Sequence, residues 1–260
     1  MSQLIDRLNQ IAEAVPQPIG FRPSQSASAK PKVLLIASLI QATSINNLTD
    51  YITGADTVLL PITKLSGGTK TVQKIARSMP DIPWGGWLKT IDRRRIDSMV
   101  KAGCDFIVFP TSTALAVPHN NDKVDKILQV EASLSEGLLK AINELPISAV
   151  LIASKSGAEQ SLTWRHLMLF RHFTSILTKP LLASIPINVT AKELQAIWET
   201  GVGGVVVEVG GRQSVGRLEE LRRAVDKLTF PPHRREKAKA LLPRIGEETV
   251  VITETEEEDL

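Results

Sequence analysis

The chain has 260 residues, of which 43% are hydrophobic and 23% charged, values typical of a globular protein large enough to form one α/β barrel. Its single cysteine, Cys104, excludes an intrachain disulfide, and no Cys/His spacing indicates a zinc site, so we expect no metal. The first residues lack the apolar core of a signal peptide, and no apolar run reaches the roughly 18 residues of a membrane span. We therefore expect a cytoplasmic protein without a membrane partner.

The first predicted element is an amphipathic helix over residues 3–15, which ends at Pro16. Its apolar residues share one side: Leu4, Ile5, Leu8, Ile11, Ala12 and Val15. Residues 20–31 are rich in Ser, Ala and Pro, a composition typical of a linker. Residues 1–30 are therefore predicted to be an N-terminal helix and linker.

From residue 31 onward, short apolar runs alternate with helical patterns up to about residue 230. Near-continuous apolar runs of this kind indicate parallel strands that are buried on both faces. Eight strands are predicted, at Val33–Ser38, Thr57–Pro61, Trp84–Lys89, Phe106–Pro110, Ile127–Glu131, Ala149–Ala153, Leu181–Ile185 and Gly204–Glu208. Helices are predicted between and after them, at 44–53, 69–79, 91–102, 134–144, 163–178, 190–200 and 215–228.

An internal repeat supports this count of strands. The segment Gly54–Pro61 aligns with Gly103–Pro110 at a spacing of 49 residues, and twice that spacing leads to Gly201–Glu208. The three glycines stand where a helix is predicted to end in the left-handed conformation before a strand begins. A period of two β/α units is expected of a barrel built from similar quarters.

The fifth strand has an alternative interpretation, because residues 124–142 also show roughly helical apolar spacing. Ser133 and Glu136 have the spacing of a capping box, which predicts that a helix begins near residue 134 and leaves Ile127–Glu131 as a strand. The same spacing in Thr190 and Glu193 predicts the start of a later helix.

These elements predict an α/β protein with the (β/α)8 barrel fold over residues 31–230. The alternative is a doubly wound open sheet, but the turn after Ser38 lacks the glycines that such folds usually carry there. Residues 231–260 are predicted to be a charged extension, basic at first and then acidic. Because aromatic residues make up only 4% of the chain, its composition argues against nucleic acid as a partner.

Active sites of barrels lie at the carboxyl ends of the strands, where Lys89 and Glu131 stand out. Both end odd-numbered strands, so we expect them to face one cavity, with Ser38 and Ser184 nearby. Lys89 would serve as anion clamp, general acid or Schiff-base nucleophile, and Glu131 as base. The alternative is a structural ion pair at the rim, or a one-residue slip that turns either outward. Glu208 is a third candidate, with a hydrogen bond to a neighbouring loop as its alternative role.

The turn after the eighth strand predicts an anion site. Gly210 and Gly211 would let backbone N–H groups approach a phosphate or carboxylate, and Arg212 would add a bidentate contact. Lys155 and Asn188 follow other strands and complete the predicted ligand-binding set. The alternative is that the two glycines only form a turn.

The stretch Pro180–Gly211 resembles the last quarter of phosphate-binding (β/α)8 barrels, such as the ribulose-phosphate-binding and FMN-linked barrels. The stretch and these families share the same order of elements: a seventh strand, a helix that ends in glycine, an eighth strand and a glycine turn. The resemblance covers about 30 residues and implies the barrel architecture and a phosphate site. The chain departs from it at Ser184–Asn188, where those families have a glycine-rich turn. No cofactor follows from the resemblance.

Two functions are compatible with the sequence. The first is a metal-independent lyase or isomerase that acts on a small phosphorylated or carboxylated metabolite. The second is a non-catalytic barrel that senses a ligand or serves as an assembly partner, which is suggested by the wide apolar surface of the helix predicted at 163–178. A homo-oligomer is the simplest form of such an assembly.

Overall fold

The structure, a computed structural model, describes residues 2–13, 32–39, 48–62, 75–76, 78–79, 82–88, 93–114, 124–153, 161–210 and 214–228. The chain divides into two units, Met1–Thr229 and Phe230–Leu260, and every described residue belongs to the first. The linker predicted at 20–31 and the charged extension predicted at 231–260 lie outside the described residues. The boundaries of the predicted three-part division therefore stay predictions.

Eight parallel strands form a closed barrel in sequence order, and the last strand pairs with the first. The closure confirms the predicted (β/α)8 barrel and shows that the alternative of an open doubly wound sheet is wrong. The strands are β1 (Leu34–Leu39), β2 (Thr57–Pro61), β3 (Trp84–Trp87), β4 (Phe106–Pro110), β5 (Asp125–Val130), β6 (Ala149–Ile152), β7 (Leu181–Ile185) and β8 (Gly204–Val209).

Helices surround the barrel and bury the outward faces of the strands. They are α2 (Leu48–Ile52), α3 (Arg93–Lys101), α4 (Glu136–Ile142), α5 (Trp164–Ile176), α6 (Ala191–Glu199) and α7 (Arg217–Asp226), and α1 (Gln3–Glu13) precedes the first strand. Ile75 and Ala76 are helical and fall within the helix predicted at 69–79, most of which lies outside the described residues. No helix in the described part of the chain has the length and apolarity that a bilayer crossing requires.

The interior of the barrel is filled by layers of side chains, each drawn from alternate strands, as expected for this fold. The pairing registers define three layers of four: Thr57, Phe106, Ala149 and Gly204; Ile36, Gly85, Ile127 and Leu182; and Leu59, Val108, Leu151 and Val206. Almost all of these residues are apolar and fully buried. These three layers therefore form the packed apolar core of the barrel.

Helix α1 covers the end of the barrel at which the strands begin. Its residues Leu4, Ile5 and Leu8 are buried against the apolar interior layers. The carboxylate of Asp105, just before β4, accepts hydrogen bonds from the backbone N–H groups of Gln3 and Leu4 at 3.0 and 3.1 Å. These N–H groups have no partner within the helix, and their partial positive charge favours a carboxylate. With this end covered, a ligand has to approach from the other end of the barrel.

The glycines of the repeat have the backbone conformation that the sequence predicts. Gly54, Gly103 and Gly201 have φ values of 92°, 85° and 94°, and each follows a helix and precedes a strand. Residues with a Cβ rarely adopt this conformation, so glycine is required at each helix end. The 49-residue repeat is thus confirmed as a repeat of β/α geometry.

The predicted capping box at Ser133 and Glu136 is wrong, although the predicted fifth strand is present. Helix α4 begins at Glu136 with Ser135 as its N-cap, and no side chain caps it. The reason is that β5 ends at Val130, and a turn then joins Leu134 N–H to the carbonyl of Glu131 at 3.3 Å. Ser133 belongs to this turn and lies too early to cap the helix.

The predicted capping box at the start of α6 is confirmed. The backbone N–H of Glu193 donates to Thr190 Oγ1 at 3.3 Å, and the N–H of Thr190 donates to Glu193 Oε2 at 2.7 Å. The bond from the Thr190 N–H, together with a second from the Thr190 hydroxyl to Oε2, holds the pKa of the Glu193 carboxyl below its ordinary value. A comparable box at Thr163 and His166, which begins α5, is not predicted by the usual motif because histidine replaces the acidic residue.

Candidate ligand-binding site at the carboxyl end of the barrel

A polar layer lies directly above the apolar core, toward the carboxyl ends of the strands. It contains one residue from each odd-numbered strand, two positions after the members of the layer formed by Ile36, Gly85, Ile127 and Leu182. We call these four residues the polar layer: Ser38, Trp87, Gln129 and Ser184. The interior thus changes from apolar to polar side chains at the end where barrels of this fold bind their ligands.

Two members of the polar layer are joined by a hydrogen bond across the barrel interior. The indole Nε1–H of Trp87 on β3 donates to Oε1 of Gln129 on β5 at 2.7 Å. Because β4 lies between these strands, the bond spans the interior surface of that strand. Both side chains are therefore directed into the barrel and held in place there.

A carboxylate lies beside the polar layer on the other side of the barrel. Glu208 on β8 is paired in register with Ser38 on β1, so their side chains leave the sheet on the same face. Ser38 is only 2% exposed, whereas Glu208 is half-buried. Within the described residues, neither side chain forms a hydrogen bond or ion pair. The structure thus brings three predicted residues, Ser38, Ser184 and Glu208, to one end of the barrel interior.

Of the two remaining predicted catalytic residues, Glu131 is among the described residues and Lys89 is not. Glu131 follows the last residue of β5, is exposed, and lies 3.4 Å from the Ser133 hydroxyl, which donates to its Oε2. The residue of β5 that lies in the polar layer with Ser38 and Ser184 is Gln129, two positions before Glu131. Lys89 lies outside the described residues, so the predicted pairing of Lys89 with Glu131 stays a prediction.

The turns after β7 and β8 are joined by an arginine that sequence analysis missed. Arg217, at the start of α7, donates from Nε to the carbonyl of Ile187 at 3.0 Å and from Nη2 to that of Val189 at 2.7 Å. Asn188, predicted to bind ligand, lies between these residues and is exposed. A basic residue in the first turn of a helix opposes the helix dipole, and here the two carbonyl groups and the carboxylate of Glu220 offset that unfavourable position.

Part of the predicted anion site after β8 is described. Gly210 has φ 145°, a glycine conformation, and its backbone N–H donates to Ser214 Oγ at 3.1 Å. Because this N–H already has an acceptor, an anion in this turn has to be held by other donors. Gly211, Arg212 and the more distant Lys155 lie outside the described residues, and their predicted roles stay predictions.

Gln129 is a further residue of the site that the sequence patterns did not predict. The signal was present, because Gln129 is the polar member of an otherwise apolar run and stands two positions before Glu131. In a strand, residues two apart share a face. Among the described residues, no three His, Cys, Asp or Glu side chains converge as metal ligands would.

Fold and site together define a (β/α)8 barrel whose interior changes from apolar to polar side chains toward the carboxyl ends of its strands. No protein-family model matches the chain, and no curated protein matches it. Similar solved structures include two variants of the tryptophan synthase α-subunit from the hyperthermophile Pyrococcus furiosus, each 13% identical, with TM-scores of 0.59 and 0.60. In both alignments the match covers 76% of this chain and 98% of the other.

A protein from Aquifex aeolicus VF5 is similar over more of the chain. It is 14% identical, with a TM-score of 0.57, and the match covers 86% of this chain and 96% of the other. At such identities the likeness shows the fold alone. It agrees with the superfamily-level resemblance to barrels that the segment Pro180–Gly211 carries.

Proposed function

We propose that the chain is a metal-independent lyase or isomerase that acts on a small phosphorylated or carboxylated metabolite in the strand-end cavity. The observation that carries the proposal is the carboxylate of Glu208. It lies half-buried above an apolar core, in register with the buried hydroxyl of Ser38, and has no partner among the described residues. A carboxylate placed in this way is suited to take a proton from a bound substrate.

The other residues are assigned around Glu208. Ser38 and Ser184 offer hydroxyl groups to the substrate from the polar layer. Lys89 is assigned to hold an anionic group or to supply a proton, and Glu131 to assist as a second base. The similarity to the α-subunit of tryptophan synthase is a similarity of fold, and it is compatible with the proposed activity.

The anionic group of the substrate is assigned to the turn after β8. Gly211 and Arg212 would supply the donors there, together with Asn188 after β7 and Lys155 after β6. Gly210 contributes the glycine conformation that allows this turn.

Hydrogen exchange tests the proposal without knowledge of the product. The protein is incubated in D2O with dihydroxyacetone phosphate, ribulose 5-phosphate, glyceraldehyde 3-phosphate or pyruvate, and deuterium at carbon is followed by NMR. We expect the wild-type chain to exchange a carbon-bound proton of at least one compound, and Glu208→Gln to slow this exchange by about 100-fold or more.

The matched control is Glu144→Gln, which changes an exposed carboxylate beyond the end of α4. It should exchange at the wild-type rate. Full exchange activity in the Glu208→Gln variant would contradict the assignment of Glu208, and the absence of exchange with every compound would contradict the proposed proton transfer on this class of metabolite.

A second candidate function, assembly with other copies of the chain, is favoured by one observation on α5. Trp164 is 82% exposed and Met168 is 71% exposed, and they lie one helical turn apart on the same face. Large apolar side chains so exposed are typical of an interaction surface. Sedimentation velocity should show an oligomer that Trp164→Glu dissociates. A wild-type monomer at high concentration would contradict this function.

A further inference from the structure

We propose that Gln129 is an oriented hydrogen-bond donor that binds a carbonyl oxygen of the substrate, and that Trp87 sets its orientation. The inference rests on the proposed function, because it assigns a substrate class to the same cavity. The class is a carbonyl compound, and the reaction is removal of a proton from the carbon next to the carbonyl group.

The orientation of the Gln129 amide follows from the chemistry of its partner. An indole N–H can only donate, so the atom of Gln129 that lies 2.7 Å from Trp87 Nε1 has to be the oxygen. The amide Nε2 is then directed away from Trp87, with two N–H groups. Among the described residues, none accepts a hydrogen bond from Nε2, and we assign its two N–H groups to a ligand oxygen.

In this proposal, the ligand oxygen that Gln129 binds is the oxygen on which negative charge develops during the reaction. Gln129 lies in the polar layer with Ser38 and Ser184, and Glu208 lies on a neighbouring level of the same cavity. When Glu208 removes a proton next to a carbonyl group, the electron pair of the C–H bond forms a C–C double bond and negative charge develops on the carbonyl oxygen. Donors fixed in advance at that oxygen stabilise the charge at no reorganisation cost.

Trp87 is a positioning residue in this arrangement. Without its indole N–H, the Gln129 amide can rotate by half a turn and present its oxygen to the cavity at little cost. The protein would then no longer bind a carbonyl oxygen, which only accepts hydrogen bonds, more tightly than a hydroxyl group, which also donates one.

The test compares two probes that differ at one carbon, dihydroxyacetone phosphate with a ketone and glycerol 3-phosphate with a hydroxyl. Calorimetry on the full chain should show that the wild type binds the ketone about tenfold more tightly. Gln129→Glu, which replaces the donors by acceptors, should invert this preference. Trp87→Phe should reduce the ratio to about one.

The matched control is Trp84→Phe, which changes an indole on the same strand whose side chain is buried on the outer face of the barrel. It should keep the wild-type ratio. Because the readout is a ratio of affinities in one variant, a general loss of stability does not produce the expected pattern.

Two results would overturn the inference. One is an unchanged ketone preference in both Gln129→Glu and Trp87→Phe, and the other is a wild-type chain that binds neither probe. Neither result decides the proposed function, which fails separately if Glu208→Gln retains deuterium exchange.

Discussion

Gly85 on β3 leaves the space that the ring of Phe106 on β4 occupies in the barrel core. A Cβ atom on Gly85 would lie 2.3 Å from the ring atom Cε2, far inside van der Waals contact. Phe106 is 1% exposed, so its ring is enclosed by the close-packed core. A small residue and a large one on neighbouring strands are thus fitted to each other in the core of the barrel.

Gly85→Ala should therefore destabilise the protein by about 1–3 kcal/mol, the usual cost of overpacking a core. Urea denaturation measures the change, and a second substitution, Phe106→Leu, should recover part of it by making room for the methyl group. Gly137→Ala is the control, because its Cβ meets nothing within 4 Å in the exposed part of α4. That variant should be as stable as the wild type or slightly more so. Wild-type stability of Gly85→Ala would contradict the fit.

The attachment of α1 to the barrel gives a second prediction. Asp105→Ala removes the acceptor of the Gln3 and Leu4 N–H groups and should cost about 1 kcal/mol, as the loss of a helix cap does. Hydrogen–deuterium exchange should become faster in residues 3–13 while the strands keep their protection. Asp97→Ala, on the exposed face of α3, is the control. Unchanged exchange in α1 would show that its apolar contacts alone hold it.

The buried thiol of Cys104 predicts a pH dependence of stability. Desolvation raises the pKa of the thiol from 9.0 to about 12, although backbone hydrogen bonds partly oppose the rise. Below about pH 9 the thiol is protonated in both folded and unfolded chains. Between about pH 9 and 12 it ionises only in the unfolded chain, so this contribution to the free energy of unfolding falls as pH rises.

From pH 8 to pH 10 the expected loss from Cys104 is about 1 kcal/mol. Urea denaturation of the wild type and of Cys104→Ala at both pH values isolates it, because the variant lacks the thiol and should lose correspondingly less stability. In the folded wild type, the thiol should react with an aromatic disulfide reagent at pH 8 only as fast as the chain opens. Equal pH slopes for the two proteins would count against the raised pKa.

The hydrogen bond between Trp87 and Gln129 should also contribute to stability. A double-mutant cycle with Trp87→Phe and Gln129→Leu is expected to give a coupling energy of about 1 kcal/mol, since each single change leaves the other group without its partner. Denaturation of the four proteins measures it. Additive effects would mean that the bond is not formed in solution.

Much of the fold could be predicted from local features of the sequence. The eight apolar runs predicted eight strands, with bounds for β2, β4 and β7 that agree with the structure. Gly54 and Gly103 marked helix ends because left-handed backbone requires glycine wherever it occurs. Such features depend on a few neighbouring residues, so the sequence carries them directly.

The start of α4 shows the limit of a local motif. Ser133 and Glu136 have the spacing of a capping box, but the turn after β5 takes up Ser133. A motif of four residues does not contain the length of that turn, which depends on how β5 and α4 pack.

What the sequence by itself determined was the kind of fold and the end of the barrel at which polar residues collect. Only the tertiary structure decided which of these residues meet. The partnership of Trp87 with Gln129 joins residues 42 positions apart, and it depends on the stagger of β3, β4 and β5. Stagger is set by the packing of side chains from all eight strands around one core, so no single segment of the sequence contains it.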